Sequence, residues 1–139
     1  MTAANTPRVA ALPTGLRVLV VEDEMLIAML FEEFLRRLGC RIIGPIGRVA
    51  KAIPLAKLEP LDAAILDVNV AREEVFPVAC ELARRAIPFL FVSGYGADRL
   101  PKEWCKRPLL QKPFNSEALE RSMSMAFATA RRNSTEGPP

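Results

Sequence analysis

The stretch LRVLVVEDE, residues 16–24, indicates which kind of fold the chain adopts. It begins with a short apolar run rich in valine, which is typical of a strand buried on both faces of a sheet. Two acidic residues, Glu22 and Asp23, follow the run directly. Beyond them, apolar residues recur with the spacing of one helix face until Gly39, and glycine commonly ends helices. The predicted apolar face consists of Ile27, Leu30, Phe31, Phe34 and Leu38.

The alternation of apolar runs with helical patterns continues along the chain, as in parallel α/β sheets. Pro108 favours an edge position for the last strand, because proline cannot donate a hydrogen bond to a neighbouring strand. Pro54 should kink or shorten the second helix. Glycines and prolines between Gly94 and Pro108 predict a weak fourth helix. The predicted strands are residues 16–21, 41–46, 63–67, 88–93 and 108–111, and the predicted helices are residues 27–38, 49–58 and 77–86 and a last helix capped by Asn115.

The length of 139 residues suits one compact domain, and the pattern gives five βα-like units without a second domain. Residues 1–14 are predicted to be a flexible N-terminal segment, residues 15–131 the folded domain, and residues 132–139 a disordered tail. No apolar run approaches the roughly 20 residues needed to cross a bilayer. Residues 1–13 lack the apolar core of a signal peptide. We therefore expect a cytoplasmic protein that does not bind membranes.

Composition excludes several classes of function. The net charge of +3 is modest and the arginine pairs are scattered, so nucleic-acid binding is not expected. The chain contains no histidine, which excludes Ser-His-Asp and Cys-His catalysis and His-ligated zinc sites. If phosphohistidine chemistry is involved, the histidine must belong to a partner. The three cysteines, Cys40, Cys80 and Cys105, have neither the spacing of a metal site nor that of a disulfide framework.

Polar residues follow the predicted strands where ligands bind in open α/β sheets, beyond the carboxyl ends. Glu22 and Asp23 end the first strand, Asp67 the third and Ser93 the fourth, and Lys112 comes just past the fifth. Carboxylates at adjacent strand ends repel one another unless a cation lies between them, and oxygen ligands beside a phosphate favour Mg²⁺. The lysine would supply a positive charge for a phosphoryl oxygen, and the serine a hydroxyl donor.

Each of these residues also has an ordinary structural explanation. Glu22 and Asp23 could cap the first helix, since acidic residues favour a helix N-terminus. Asp67 could be a turn residue at a strand end, and Lys112 a solvated surface charge. Their joint placement at one edge of the predicted sheet nevertheless favours a functional site.

Four motifs in order resemble the receiver domain of two-component response regulators. They are VLVVEDE at 18–24, ILDVN at 65–69, FVSGYG at 91–96 and QKPF at 111–114. The resemblance covers residues 16–131. The stretch PFLFVSGYG, followed by a weak helix signal, further resembles the single-domain receivers called FATGUY proteins, although FVSGYG replaces the namesake pattern.

The resemblance implies a flavodoxin-like receiver fold, a doubly wound five-stranded parallel sheet of order 2-1-3-4-5. It also implies that Asp67 is the phosphoacceptor. Glu22 and Asp23 would be the acidic pair that binds Mg²⁺ together with Asp67, with Asp23 the closer ligand, and Asn69 would contribute its backbone carbonyl.

For the remaining motif residues, the resemblance implies that Ser93 is the switch hydroxyl and Lys112 the lysine of the family. The implied function is that of a stand-alone receiver, not a turnover enzyme, which takes a phosphoryl group from a sensor histidine kinase or a histidine phosphotransfer protein. It would then signal through a downstream protein or act as a phosphate sink.

One position departs from the family, because Leu109 stands where many receivers carry a rotating aromatic residue; Tyr95 could replace it.

The residues argue against three other functions. A small phosphatase that forms an aspartyl-phosphate usually needs a second acid two residues after the nucleophile, but Asn69 stands there and cannot act as an acid or base. A pseudo-receiver would not need the complete set of site residues. Flavin binding would need a phosphate-binding loop rich in Gly, Ser or Thr after the first strand, and none is present.

Overall fold

The computed structural model describes residues 14–128. The segments predicted to be flexible, residues 1–14 and 132–139, lie outside that range except for Thr14. The strands are β1 (Arg17–Val21), β2 (Arg41–Ile46), β3 (Ala63–Asp67), β4 (Asn69–Val70), β5 (Glu73–Glu74), β6 (Phe89–Ser93) and β7 (Leu109–Gln111). Five of them form a parallel sheet in the order β2-β1-β3-β6-β7, which is the predicted order 2-1-3-4-5.

Two helices pack on each face of this sheet. The helices are α1 (Met25–Arg37), α2 (Val49–Leu58), α3 (Phe76–Arg84) and α4 (Ser116–Ala126). Phe31 of α1 and Met123 of α4 pack against alternate side chains of β1, β3 and β6, while α2 and α3 cover the opposite face. The three central strands, β1, β3 and β6, are buried on both faces, which explains their nearly continuous apolar sequences.

The predicted element boundaries agree closely with the structure. The ranges 41–46, 49–58 and 63–67 are those of β2, α2 and β3, so Pro54 does not shorten its helix. Asn115 caps α4 by accepting a hydrogen bond from the N–H of Ala118 at 2.8 Å. The weak fourth helix consists of two single 3₁₀ turns, Ala97–Arg99 and Lys102–Trp104. None of the helices within residues 14–128 is long and apolar enough to cross a membrane.

The antiparallel hairpin of β4 and β5 was not predicted from the sequence. Its two-residue turn, Ala71-Arg72, has φ values of 49° and 70°. Turns of this kind usually carry Asn-Gly or Asp-Gly, because these residues tolerate a positive φ. Without that signal, the hairpin depends on tertiary packing, since Val70 within it and Val75 directly after it are fully buried.

Two helices end in the same hydrogen-bond pattern but with different residues at its strained position. Gly39 follows α1 with φ 79°, and Ala86 follows α3 with φ 59°. In both cases the N–H of the next residue donates to the carbonyl five residues back, at 2.9 Å. This is the Schellman motif, in which glycine avoids a penalty of roughly 1–2 kcal/mol that a Cβ atom brings in the left-handed region.

Ala86→Gly should therefore raise the free energy of unfolding by about 1 kcal/mol. Gly39→Ala is the matched opposite change and should lower it by a similar amount. A Cβ atom at Gly39 would meet only the Thr14 side chain at an ordinary 3.6 Å, so the loss would come from the backbone. Urea denaturation of both variants measures the effect. A loss of stability in Ala86→Gly would contradict this account of the helix end.

Candidate functional site

The carboxyl ends of β1 and β3 bring two buried carboxylates together. Glu22 follows β1 directly, and Asp67 is the last residue of β3, its neighbour in the sheet. Both residues are at least 95% buried, with 3% and 5% of their surfaces exposed. The backbone N–H of Asn69 donates to Oδ1 of Asp67 at 3.1 Å. The parallel sheet therefore builds a negatively charged pocket floor from residues 45 positions apart in the sequence.

Lys112 neutralises part of this charge. Its backbone N–H donates to the carbonyl of Ser93 at 2.7 Å, which fixes its position beyond the end of β6. Its Nζ lies 2.9 Å from Oδ2 of Asp67, 2.9 Å from Oε1 of Glu24 and 3.8 Å from Oε1 of Glu22. Burial lowers the pKa of Lys112, but the hydrogen bonds to Asp67 and Glu24 and the nearby carboxylate charges outweigh it and raise the pKa above its usual value. The lysine is therefore a fixed cation.

One ammonium group does not satisfy all the carboxylates. Carboxylate oxygens of Glu22, Glu24 and Asp67 lie within 4.8 Å of one another. Oε1 of Glu22 is buried and has no hydrogen-bond partner among the described residues, although Oε2 accepts from the N–H of Glu24 at 3.0 Å. The pKa of Glu22 is raised from 4.5 to about 8, first by burial and then by a hydrogen bond with Asp67 and the charge of Asp67, which together outweigh the opposing effects of the Glu24 backbone and Lys112. A proton on Glu22 would supply the missing donor between the two carboxylates.

The same oxygens could instead hold a divalent cation. A buried carboxylate oxygen without a donor, close to two other carboxylates, is the ligand type that Mg²⁺ prefers. Of the predicted ligands, Glu22 and Asp67 belong to this group, whereas Asp23 is exposed and lies outside it. Glu24 was not predicted. Its signal in the sequence was a third acid in EDE, but only the structure directs its carboxylate to Lys112.

Ser93 lies at the end of β6 beside a cleft of about 390 Å³. The residue is buried, and its hydroxyl oxygen accepts a hydrogen bond from the N–H of Tyr95 at 3.0 Å. Tyr95 is half exposed, and the guanidinium of Arg99 lies 4.6 Å from its ring centroid. Asn69 and Glu74 of the hairpin line this cleft, and so does Arg99 of the first 3₁₀ turn.

Several solved structures match this chain over most of its length. No family model matches the chain, and no curated protein does. The solution structure of SdrG from Sphingomonas melonis Fr1 is 40% identical to this chain, with a TM-score of 0.71; the match covers 85% of this chain and 98% of SdrG. The REC domain of the response regulator PhyR from Erythrobacter litoralis is 26% identical, with a TM-score of 0.71 and coverages of 85% and 94%. The chain belongs to the response regulator receiver family.

Two further receiver structures match with activating or metal ligands. SdrG in a BeF3-activated conformation, named as from Pseudomonas melonis Fr1, is 38% identical with a TM-score of 0.67, covering 83% of this chain and 99% of that chain. The receiver domain of the sensor histidine kinase PA1611 from Pseudomonas aeruginosa PAO1, solved with magnesium in its active site cleft, is 22% identical with a TM-score of 0.68 and coverages of 83% and 99%. At that identity the second match shows the fold alone.

Membership of the family settles two points. As a receiver domain of two-component signalling, the chain is not a turnover enzyme, which confirms that part of the sequence interpretation. Receiver domains work with histidine kinases as partners. The comparisons do not test the FATGUY subgroup, which stays a prediction.

The raised pKa of Glu22 predicts a pH dependence of the metal-free receiver's stability. Because its pKa of about 8 in the folded state exceeds the ordinary 4.5, its contribution is fully present below pH 4.5 and is lost as the pH rises through about 8. The free energy of unfolding should fall over this window by at most about 1.4 kcal/mol per pH unit. Glu22→Gln, which cannot ionise, should flatten the slope.

Thermal unfolding in a chelator between these pH values measures the effect. The chain has no histidine, so no imidazole titrates in this pH window and the change in stability can be assigned to Glu22. Glu33→Gln, which removes an exposed carboxylate paired with Arg37, should keep the wild-type slope. Equal slopes in wild type and Glu22→Gln would show that the buried carboxylate is not the titrating group.

Proposed function

We propose that this receiver domain accepts a phosphoryl group onto Asp67 from the phosphohistidine of a sensor histidine kinase or a histidine phosphotransfer protein, in a Mg²⁺-dependent reaction. The observation that carries the proposal is the contact of 2.9 Å between the Lys112 ammonium and the buried carboxylate of Asp67. A buried nucleophilic carboxylate beside a fixed cation suits phosphoryl transfer, in which catalysis consists mainly of positioning and charge neutralisation. SdrG, which is 38% identical to this chain, has a BeF3-activated conformation, and this supports the same function for the present chain.

In the proposed reaction, a carboxylate oxygen of Asp67 forms the new O–P bond. The P–N bond to the donor imidazole breaks, and its electron pair stays on the imidazole nitrogen. The Asn69 N–H holds Oδ1 of Asp67 in place, and Lys112 donates to a phosphoryl oxygen. The hydroxyl of Ser93 is the second candidate donor. When bound, Mg²⁺ would supply further neutralisation of the phosphoryl charge, held by Glu22, Asp67, the backbone carbonyl of Asn69 and Asp23, whose exposed side chain would have to turn toward the ion. Glu24 belongs to the same acidic group, but we assign it to Lys112, with which it is paired at 2.9 Å, and not to the metal.

The phosphorylated domain would act through a downstream protein or serve as a phosphate sink. We further propose that it works as a single-domain receiver, as its match over 98% of the SdrG chain suggests. A cytoplasmic location follows from the proposed donor, because histidine kinases draw their phosphoryl groups from ATP.

Incubation with acetyl phosphate tests the acceptor. Intact mass should show one added phosphoryl group in the presence of Mg²⁺ and very little in chelator. Asp67→Asn should abolish the label, because an amide is not a nucleophile of comparable strength. Asp62→Asn changes another buried aspartate, which lies at the opposite end of the sheet, and should still be labelled if it folds. Equal labelling of wild type and Asp67→Asn would refute the proposal.

The first turns of α1 offer a surface for the protein donor. Met25, Leu26, Met29 and Leu30 are large apolar residues with 45–79% of their surfaces exposed. A groove of about 350 Å³ runs from Leu30 and Glu24 to Lys112, and Phe114 lines it as well. Contiguous exposed apolar residues mark interaction sites more often than scattered ones do. Because this surface adjoins the lysine that contacts Asp67, we propose that the phosphohistidine-bearing protein docks on it.

Leu26→Gln combined with Met29→Gln should slow transfer from a phosphorylated histidine kinase by about tenfold, equivalent to about 1.4 kcal/mol of lost binding. Labelling by acetyl phosphate should not change, because a small donor does not need the surface. Leu58→Gln is the matched control, since Leu58 is 80% exposed at the end of α2 and lies away from the site. Equal transfer to the double variant and to the Leu58 control would place the donor elsewhere.

A further inference from the structure

The Lys112 ammonium contacts two carboxylates equally closely, and only one of them is the acceptor. Glu24 and Asp67 each lie 2.9 Å from Nζ. Their surroundings differ sharply, because 62% of the Glu24 side chain is exposed and only 7% of the Asp67 side chain is. Asp67 thus forms the floor of the site, and Glu24 lies at its solvent-exposed mouth, beside the lysine.

The position of Glu24 follows from its backbone. Its N–H donates to Oε2 of Glu22 at 3.0 Å, and its carbonyl accepts from the N–H of Ala28 at 2.9 Å as α1 begins. Glu24 is the N-cap residue of α1, yet its side chain makes no capping hydrogen bond. The carboxylate is directed to Lys112 instead. The charge at the mouth is therefore held by a fixed backbone and a specific ion pair.

A phosphoryl group on Asp67 changes the balance of charge around this ion pair. Its oxygens need the Lys112 ammonium, which in the resting site is shared with Glu24. They also bring negative charge close to the Glu24 carboxylate, whose one ion pair within residues 14–128 is with Lys112. Exposure lets the Glu24 side chain turn into solvent, but breaking the ion pair and approaching a like charge both oppose the transfer.

We propose that Glu24 is a positioning residue that restrains phosphorylation: it holds Lys112 in the resting site and repels anionic phosphodonors at the mouth. The inference rests on the proposed function of Asp67. It deepens that function by naming a residue that sets how readily the receiver accepts phosphoryl groups from small anionic donors. The lysine stays ordered without Glu24, because Asp67 and the backbone bond to Ser93 still hold it.

The test compares the labelling rates of Glu24→Gln and wild type with two small phosphodonors at saturating Mg²⁺. With acetyl phosphate, a dianion at neutral pH, a carboxyl oxygen of Asp67 bonds to phosphorus and acetate leaves with the electron pair of the broken P–O bond. Removing one unit of opposing charge near 4 Å in a solvated site should make this labelling about fivefold faster. With phosphoramidate, which carries less net negative charge, the gain should be smaller. High salt should reduce the gain, because Glu24 is exposed.

Three control variants separate this role from others. Glu33→Gln removes an equal charge from the same helix at a residue paired with Arg37, and should label at the wild-type rate. Glu24→Asp keeps the negative charge and should stay closer to wild type than Glu24→Gln does. Asp23→Asn should weaken Mg²⁺ binding measured by titration calorimetry, whereas Glu24→Gln should leave the affinity within about threefold.

The outcomes distinguish this inference from the proposed function. If wild type is labelled at Asp67 but Glu24→Gln is labelled no faster, the restraint does not exist, and Asp67 remains the acceptor. If Glu24→Gln loses labelling together with Mg²⁺ affinity, Glu24 is a metal ligand and the inference is wrong. If the gain is the same for both donors and at all salt concentrations, the effect is not electrostatic and the inference also fails. If wild type itself is not labelled, the proposed function fails and this inference with it.

Discussion

A single ammonium group, that of Lys112, lies among three carboxylates at the carboxyl edge of the sheet. Two of these, Glu22 and Asp67, are buried, so their repulsion is weakly screened and the lysine cannot leave without a large electrostatic cost. The balance is nevertheless incomplete, because one Glu22 oxygen has no hydrogen-bond partner among residues 14–128, and burial together with Asp67 raises the pKa of this carboxyl. The charges of the site are therefore not fully balanced, so the site can bind a proton or a cation.

The fold keeps this arrangement in place through its backbone. Lys112 is tied to the carbonyl of Ser93, and the N–H of Glu22 donates to the carbonyl of Ile46 on the far side of β1. A parallel sheet brings all these strand ends to one edge, while the apolar strands themselves fill the core on both faces. Burial of the strands and assembly of the site therefore depend on the same packing.

The segments that follow Asp67 and Ser93 contain less regular secondary structure, namely the short hairpin and the two 3₁₀ turns. Trp104, in the second 3₁₀ turn, packs among Phe76, Phe89 and Phe91, with ring centroids about 6 Å apart. This aromatic cluster anchors the segment from Ala97 to Trp104 without a full helix. Leu109 lies on the edge strand β7, at the position where the family resemblance implies an aromatic residue. Tyr95, the predicted replacement, lines the cleft beside Ser93 together with Arg99.

The amino-acid sequence determined the sheet, its helices and most of the site, because apolar periodicity and strand-end residues are local patterns that a parallel sheet brings together in one way. Asp67 and Lys112 were predicted on that basis, and the structure places them in contact. Tertiary structure alone decided two features. The hairpin at Ala71-Arg72 lacks a turn sequence and depends on buried neighbours. The pairing of Glu24 rather than Asp23 with Lys112 depends on which side chain the start of α1 directs toward the lysine. Contacts between residues 88 positions apart are set by packing, which no local pattern records.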